Sequence, residues 1–436
     1  MIFEKRESNV RSYCRAFPAV FARASGACLY DESGRRYIDF LAGAGTLNYG
    51  HNHPGVKNKV MGYLQADGII HGLDLHTAAK RDFLEAFERL VLQPIHLNYK
   101  VQFPGPTGTN AVEAAMKLAR KYTGRSGIIA FTNGYHGMTA GSLAATANEY
   151  HRQSPGGVPG NVTFMPYDGY FGPEVDTAGY LEKFLTDPSS GLDRPAAVLL
   201  ETVQGEGGVN VASFPWLQRV EEICRKHDLL LIVDDIQAGC GRTGTFLSFT
   251  PAGITPDIVT LSKSLGAIGL PLSVVLMKPH LDCWQPGEHN GTFRGNNLAF
   301  VAATEALKLY WRDNALGLQV QRKSRILTRR LQAMAASLGL EHTGIRGRGL
   351  MMGLAFDENP GLAREISARA FTQGLIVETC GAYDQVLKFL PPLVIEEALL
   401  EEGLDILESS ARAVLDDAGK FPPITTPQPL TQESSL

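Results

Sequence analysis

A single lysine interrupts the apolar stretch DIVTLSKSLGAIGLPLSVVLM, which covers residues 257–277. Burying an unpaired ammonium costs several kcal/mol, on the order of 5, unless the group is paired or loses its proton. The stretch is long enough for a membrane span, but a proline, two glycines and the lysine itself argue against one. Three explanations for Lys263 remain: a surface lysine with a buried stem, a buried ion pair, or a neutral amine that acts as a nucleophile.

An acidic pair follows another apolar run. In LLLIVDDIQAGCGRTG, residues 229–244, Asp234 and Asp235 stand where a buried strand would end, and ligands of open α/β sheets gather at that edge. A helix cap or a turn aspartate is the simpler interpretation. Lys263 follows Asp234 by 29 positions, which is enough for one connection and one further strand. Both side chains could therefore meet at the same sheet edge.

Three loops carry groups suited to a phosphorylated, planar ligand. PGPTGTNAVEAAMK (104–117) opens an amphipathic helix with glycine and threonine, so free N–H groups and the helix dipole would favour an anion there; a plain threonine N-cap is the alternative. Tyr135 and His136 stand between glycines in FTNGYHGMTAGSL (131–143), where an aromatic ring could cover a flat cofactor or simply close a core. EHNGTFRGNNLAF (288–300) offers further phosphate donors, or only a turn.

Each of these signals is weak alone, but together they fit one ligand. A lysine at a sheet edge, an aspartate one strand earlier, an anion site at a helix N-terminus and a planar stacking residue match pyridoxal 5'-phosphate, a phosphorylated pyridine aldehyde. Lys263 would then be uncharged because it is bonded covalently to that aldehyde.

The elements that would position these groups alternate between strands and helices. We expect buried strands at 100–104, 126–132, 196–203, 229–235, 257–262 and 272–277, and helices at 109–123 and 215–228. The alternation predicts an α/β fold whose large domain has a mostly parallel, mixed sheet between layers of helices.

The two ends of the chain have a different pattern. Both mix helical stretches with short strands, which favours a smaller α+β domain built from the two chain ends. We predict an N-terminal segment of that domain at 1–54, a large cofactor-binding domain at 55–310, the rest of the small domain at 311–419, and a flexible, proline-rich tail at 420–436.

Composition narrows the class of protein. Hydrophobic residues make up 44% of the 436 and charged residues 20%, which is typical of a globular protein. A formal charge of −4 gives no reason to expect nucleic acid or a membrane surface as partner. The six cysteines are scattered without a CxxC pair, and no basic segment followed by an apolar one opens the chain. We therefore expect a cytoplasmic enzyme with reduced thiols and no metal site.

A family resemblance joins these observations. The chain carries seven motifs in this order: YIDFLAGAGTLNYGHNHP, GTNAVEAAMKLAR, YHG, ETVQGEGGV, VDDIQAGCGRTG, LSKSLG and GTFRGNN. They resemble the motifs of class III (ω-amino acid) aminotransferases of the fold-type I pyridoxal-phosphate superfamily, and the resemblance covers about residues 20–415. Within the class, GEHNGTFRGNNLAF and FLAGAGTLNYGHNHP are most similar to the diaminobutyrate–2-oxoglutarate aminotransferases.

The resemblance implies a role for each matching position. Lys263 would bind the cofactor aldehyde and Asp234 the ring N–H, so these two are the expected catalytic residues. The other expected cofactor contacts are Gly108 and Thr109 at the phosphate, Tyr135 on one ring face, Gln237 at the ring hydroxyl, and His136 and Glu201 nearby. Thr292 would reach the phosphate from the neighbouring subunit of a homodimer or a dimer-based assembly.

Two positions differ from many glutamate-using relatives. Those relatives commonly have arginine where this chain has Met138, directly after YHG, and where it has Lys388, the partner of the GEGG glutamate Glu206. Both arginines serve carboxylates, and Glu206 would lie near the substrate. We hypothesise that Lys388 binds the α-carboxylate and that Arg294 supplies another carboxylate contact, with a structural role for Arg294 as the alternative.

The implied reaction converts L-glutamate and L-aspartate 4-semialdehyde into L-2,4-diaminobutanoate and 2-oxoglutarate, the first step of ectoine biosynthesis from the semialdehyde. The alternatives are the same reaction in siderophore or diaminopropane synthesis, and a transaminase of ornithine or 4-aminobutyrate type. A non-catalytic pyridoxal-phosphate carrier is an alternative from another class. The resemblance leaves a requirement for K⁺ open.

Overall fold

The computed structural model describes residues 1–153, 160–340 and 343–418. The tail expected at 420–436 lies outside the described residues.

The helices and strands are numbered in chain order. The helices are α1 (Ile2–Arg6), α2 (Tyr13–Ala16), α3 (Ala42–Gly45), α4 (Pro54–Gln65), α5 (Ala78–Phe87), α6 (Gly108–Thr123), α7 (Ala140–Ala144), α8 (Glu149–Arg152), α9 (Thr177–Thr186), α10 (Phe214–Lys226), α11 (Asn297–Tyr310), α12 (Ala315–Ser337), α13 (Pro360–Thr372) and α14 (Glu397–Ala418). The strands are β1 (Phe21–Ser25), β2 (Cys28–Asp31), β3 (Arg36–Asp39), β4 (Lys100–Gln102), β5 (Ile128–Phe131), β6 (Val162–Met165), β7 (Ala197–Leu200), β8 (Val203–Gln204), β9 (Asn210–Val211), β10 (Leu230–Asp234), β11 (Ile258–Leu261), β12 (Val274–Met277), β13 (Gly344–Arg348), β14 (Met351–Ala355), β15 (Leu375–Ile376), β16 (Glu378–Cys380) and β17 (Val386–Phe389).

The largest sheet has seven strands in the order β4-β12-β11-β10-β7-β5-β6. β10 pairs in parallel with β7 and β11, and β5 pairs in parallel with β6 and β7. β12 runs antiparallel to its two neighbours, β11 and β4. The predicted α/β fold with a mostly parallel, mixed sheet is therefore confirmed, and each of the six expected strand segments contains a strand. β6 was not expected.

The parallel pairing of β10 with β11 sets the positions of the two candidate catalytic residues. Asp234, the last residue of β10, lies opposite Thr260 of β11. Lys263 follows two positions after the end of β11. The carboxyl ends of parallel neighbours lie at the same edge of a sheet. Because β10 and β11 are parallel, Asp234 and Lys263 both lie at this edge.

The two ends of the chain meet in a second sheet. β15, from the C-terminal part, pairs in parallel with β3, from the N-terminal part. Side chains of both strands belong to one hydrophobic cluster, which also contains Phe40, Leu387 and Phe389. β13, β14, β17 and β16 form a separate four-stranded sheet. The domain bounds given above stay a prediction.

Among the described residues, no helix is both long and apolar enough to cross a membrane. All six cysteines lie in the described ranges and are free thiols.

Candidate active site

Lys263 begins a short 3₁₀ turn directly beyond β11. Its backbone φ is +48°, in the left-handed region that side-chain-bearing residues rarely adopt. Holding it there costs on the order of 1–3 kcal/mol, and such strain tends to occur at functional sites. Burial lowers the pKa of the Lys263 amine, and the nearby Glu206 carboxylate opposes this in part. A more easily deprotonated amine suits a nucleophile.

Asp234 presents a buried carboxylate that is held on both oxygens. Its Oδ2 lies 2.7 Å from Nδ1 of His136, and its Oδ1 accepts hydrogen bonds from the Thr260 hydroxyl at 3.1 Å and from the Ile236 N–H at 3.2 Å. Burial alone would lower the pKa of His136, but the Asp234 carboxylate outweighs burial and raises it. The carboxylate is thus fixed in orientation and suited to pairing with a cationic N–H.

Glu201 follows β7 at the same sheet edge and is also buried. Its Oε2 accepts a hydrogen bond from the Tyr135 N–H at 3.0 Å, which ties the YHG loop to the sheet. Burial raises the pKa of Glu201 to about 7, against the opposing influence of His136. Glu201 therefore holds a proton beside the Asp234–His136 pair to a higher pH than an ordinary glutamate does.

Several hydroxyl groups meet at the N-terminus of α6, where the sequence predicts an anion cradle. The helix begins at Gly108, and the Thr109 hydroxyl lies 2.6 Å from that of Thr139 and 2.5 Å from that of Ser142. A Cβ at Gly137, whose φ is +128°, would come within 2.5 Å of Thr109 Oγ1. Only glycine lets the YHG loop pass this close, so the hydroxyls of Thr109, Thr139 and Ser142 lie together at the start of the helix.

The side-chain oxygen of Gln237 is a hydrogen-bond acceptor that has no donor among the described residues. Its Nε2 donates to the Ala44 carbonyl at 3.0 Å and to Glu206 Oε1 at 3.1 Å, whereas its Oε1 is buried and has no partner among the described residues. Buried polar atoms in proteins are nearly always satisfied. A hydroxyl on a bound ring would satisfy this one. Together with the amine, the fixed carboxylate and the anion cradle, this orphaned oxygen fits pyridoxal phosphate.

An ion-pair cluster adjoins Lys263. Lys388 Nζ lies 2.7 Å from Glu206 Oε1 and 3.2 Å from Glu378 Oε1. Lys388 is fully buried and the Glu378 side chain is 6% exposed, but that of Glu206 is 28% exposed. The group turned toward the open part of the site is therefore the Glu206 carboxylate. For Lys388 to meet a substrate carboxylate as hypothesised, Glu206 must first move.

Two of the expected site residues lie elsewhere. Thr292 is exposed, and its backbone carbonyl accepts a hydrogen bond from His71. Arg294 donates to the Phe103 carbonyl at 3.1 Å and to Asn290 Oδ1 at 3.0 Å. No hydrogen bond among the described residues joins either of them to the cluster around Lys263. These contacts favour the structural alternative for Arg294.

Sequence reasoning missed Glu378 altogether. The signal was available: Glu378 is an acidic residue inside the apolar run LIVETC, where a lone carboxylate needs a partner. Thr260, which bonds Asp234, was also missed because its role depends on the register between β10 and β11.

Known proteins resemble this chain over most of its length. The family model described as "Aminotransferase class-III" matches residues 11–410. Proteins named diaminobutyrate–2-oxoglutarate transaminase from Bordetella parapertussis and Halomonas elongata are each 58% identical to this chain; they cover 95% and 94% of it, and the matches span 96% and 98% of those proteins.

The fold has solved counterparts. The ornithine aminotransferase of Toxoplasma gondii superimposes with a TM-score of 0.82 at 28% identity, over 95% of this chain and 94% of that one. A further structure of that enzyme has pyridoxal phosphate at partial occupancy in its active site. This chain belongs to the class-III aminotransferases, a family of enzymes that depend on pyridoxal phosphate.

Proposed function

We propose that this aminotransferase converts L-glutamate and L-aspartate 4-semialdehyde into L-2,4-diaminobutanoate and 2-oxoglutarate. The observation that carries the proposal is the 58% identity, over nearly the whole chain, to two relatives named for this reaction. The cluster around Lys388 is compatible with it, because the half-buried carboxylate of Glu206 offers a contact for an amino group of a diamino acid.

The chain's own residues have defined tasks in this proposal. Bound pyridoxal phosphate supplies an electron sink for the substrate carbon that loses its proton. Lys263 would hold the cofactor aldehyde, and its amine, when free, would take and return the proton at the carbon bearing the reacting amino group. Asp234 would keep the ring nitrogen protonated. Gly108 and Thr109 would hold the phosphate, and Tyr135 would cover the ring.

A donor screen tests the substrate. With 2-oxoglutarate as acceptor, the holoenzyme should form glutamate faster when 2,4-diaminobutanoate is the amine donor than when ornithine or 4-aminobutanoate is the donor at equal concentration. Lys263→Ala is the inactive control, because it lacks the reacting amine. A preference for ornithine or 4-aminobutanoate would replace the proposal with the alternative transaminase type, and an absence of turnover with every donor would favour a carrier.

The metabolic setting is a finer part of the proposal. We assign the reaction to the first step of ectoine synthesis, in the cytoplasm, on the strength of the subgroup resemblance. Deleting the gene should then abolish ectoine accumulation at high salt. Loss of a siderophore or of diaminopropane instead would identify the alternative setting. Replacing K⁺ by Na⁺ in the assay tests whether K⁺ is required.

We propose further that the active sites lie at the interface of a homodimer. An apolar patch surrounds Thr292: the residues Ile69, Ile70, Leu73, Leu75 and Phe293 are each 43–68% exposed. Exposed apolar patches of this kind mark interaction surfaces. Mixing Lys263→Ala with Thr292→Asp subunits tests the arrangement. Each mixed dimer would contain one wholly wild-type site, so activity should return; if it does not, Thr292 does not serve a neighbouring subunit.

The two carboxylate contacts remain part of the proposal. If Lys388 and Arg294 bind glutamate, Lys388→Met and Arg294→Ala should each raise the KM for glutamate about tenfold or more. Lys388 lies near Lys263, whereas Arg294 is held by Phe103 and Asn290, so Lys388 is the stronger candidate. Unchanged KM values for glutamate in both variants would show that neither Lys388 nor Arg294 binds a carboxylate of glutamate.

A further inference from the structure

Two buried serines flank Lys263, and they tie it to different parts of the molecule. The Ser262 hydroxyl donates to the Leu272 carbonyl at 3.0 Å, in the segment that leads into β12. The Ser264 hydroxyl donates instead to the Gly45 carbonyl at 2.7 Å, which is 219 positions away along the chain. The strained backbone of Lys263 is therefore joined through Ser264 to the N-terminal part of the chain.

The Ser264 hydroxyl makes two hydrogen bonds with the loop that follows β3. Besides donating to Gly45, it accepts a hydrogen bond from the Asn48 N–H at 3.2 Å. A hydroxyl can donate and accept at once, so one buried side chain serves a carbonyl and an N–H of the same loop. Alanine in its place would take this partner from both backbone groups in the interior, which is costly.

The carbonyl that Ser264 reaches belongs to an unusual turn. All four residues of α3, Ala42–Gly45, have φ between +47° and +82°, in the left-handed region. Two of them are alanines, for which this region is costly. Asp39 supports the turn, because its Oδ1 accepts hydrogen bonds from two successive backbone N–H groups where the turn begins, at 2.9 and 2.8 Å. A turn held in this way has little freedom to follow Lys263, so it can fix the position of the lysine.

The same turn holds the residue expected at the ring hydroxyl of the cofactor. The Ala44 carbonyl accepts a hydrogen bond from Gln237 Nε2 at 3.0 Å, and the next carbonyl along the chain is the one that Ser264 reaches. Gln237 follows β10 and Lys263 follows β11, and these two strands are neighbours. Two successive carbonyls of one turn therefore fix Gln237 and the backbone beside Lys263 relative to each other.

Building on the role proposed for Lys263, we propose that Ser264 is a positioning residue for the amine of that lysine. Ser264 holds the backbone of Lys263 in its left-handed conformation against α3, and this conformation directs the amine toward the cofactor and the substrate carbon. Ser264 acts only through Lys263. A lysine released from this conformation would keep its chemistry but lose its alignment, and a misplacement of about 1 Å can cost about 100-fold in rate.

A double-mutant cycle in cofactor affinity tests this role. Equilibrium dialysis against pyridoxal phosphate gives Kd for the wild type, Ser264→Ala, Lys263→Ala and the double variant. Because bonding through Lys263 adds to affinity, a misplaced lysine should weaken binding about tenfold in Ser264→Ala. In the Lys263→Ala background, the same replacement should change Kd less than about twofold. Equal losses in both backgrounds would mean that Ser264 merely supports the pocket and would overturn the proposal, as would no loss in either.

Turnover at saturating pyridoxal phosphate provides a second readout. Ser264→Ala should lower kcat roughly 10- to 100-fold for both half-reactions, since Lys263 moves the proton in each. The KM values should change less than about threefold, because the interaction lost does not involve bound substrate. Ser264→Cys keeps a weak donor of similar shape and should lose less; it carries both tests if Ser264→Ala folds poorly. A raised KM with unchanged kcat would contradict a role in positioning the amine.

Ser262→Ala is the matched control. It removes the other buried hydroxyl beside Lys263, but that hydroxyl joins segments that the pairing of β11 with β12 already holds together. Its Kd and kcat should therefore change less than about threefold. Losses as large as those of Ser264→Ala would show that the link to α3 is not specific and would overturn the proposal. Cofactor binding by Lys263→Ala as tight as that of the wild type would instead refute the role proposed for Lys263.

Discussion

At the scale of single residues, Glu201 should make stability depend on pH. Its pKa rises from the usual 4.5 to about 7 in the folded chain because the carboxyl group is buried. The folded state therefore binds this proton more tightly than the unfolded state does. The resulting stabilisation is complete below about pH 4.5 and is lost as the pH rises through about 7, by roughly 3 kcal/mol.

The variant Glu201→Gln removes this dependence because its side chain is neutral at every pH. Its oxygen can still accept the Tyr135 N–H. Thermal unfolding of both apoproteins at pH 5 and pH 8 should show that the wild type loses more stability than the variant between the two values. Parallel losses would mean that Glu201 ionises normally in the folded chain.

Residue context also decided what could be read from the sequence. Lys263 and Asp234 were predicted as site residues because a charged side chain in or at the end of an apolar run has few structural explanations. Glu378 and Lys388 also lie in apolar runs, but their contact arises from the pairing of β16 with β17. Register between short strands depends on packing over the whole sheet, so it could not be read from either segment alone.

At the scale of elements, the periodic segments were predicted best. The helix expected at 109–123 spans Gly108–Thr123, because seven buried apolar residues lie on its inner face. β6 was missed: three of its four residues are only half-buried, so the strand lacks the continuous apolar run that marks a central strand. An anion cradle at the start of α6 was predicted from glycine and threonine, but the contacts of Thr109 with the hydroxyls of Thr139 and Ser142 were not.

The contact between α6 and α7 supports a prediction about cofactor affinity. Glu113, one turn into α6, accepts hydrogen bonds from the Gly141 N–H at 2.8 Å, the Ser142 N–H at 3.1 Å and the Thr139 hydroxyl at 2.7 Å. It therefore holds the start of α7, and through Thr139 it orients the Thr109 hydroxyl. Glu113→Ala should weaken pyridoxal-phosphate binding about tenfold by leaving these donors unpaired.

The measurement is a titration of apoprotein with pyridoxal phosphate, followed by absorbance. Glu113→Gln, which keeps one acceptor oxygen, should lose less affinity than Glu113→Ala. If both variants bind the cofactor as tightly as the wild type, α7 is held in place by other contacts and Glu113 has no part in the cradle.

At the scale of the whole molecule, one guanidinium joins distant parts of the chain. Arg242 is fully buried and donates to the carbonyls of Leu350 at 3.0 Å and Pro391 at 2.6 Å, and to Asn48 Oδ1 at 2.5 Å. Its partners come from the N-terminal and C-terminal parts, whereas Arg242 itself follows β10 in the large sheet. Burial lowers the pKa of Arg242 to about 9, so it still carries its charge at neutral pH.

Replacing Arg242 should therefore loosen the packing of the chain ends against the large sheet. Arg242→Met leaves three buried acceptors without donors and should cost roughly 3–5 kcal/mol of unfolding free energy. Arg242→Lys keeps the charge but not the forked set of donors, so its loss should be intermediate. The matched control is Lys323→Met, since Lys323 is another buried cation; among the described residues it donates only to the Leu393 carbonyl, so its loss should cost less. The unfolding midpoints of the three variants give the order of their stability losses. If Lys323→Met is as damaging as Arg242→Met, the charge of a buried cation matters more than the number of its hydrogen bonds. Arg242 would then not be the specific link between the chain ends and the large sheet.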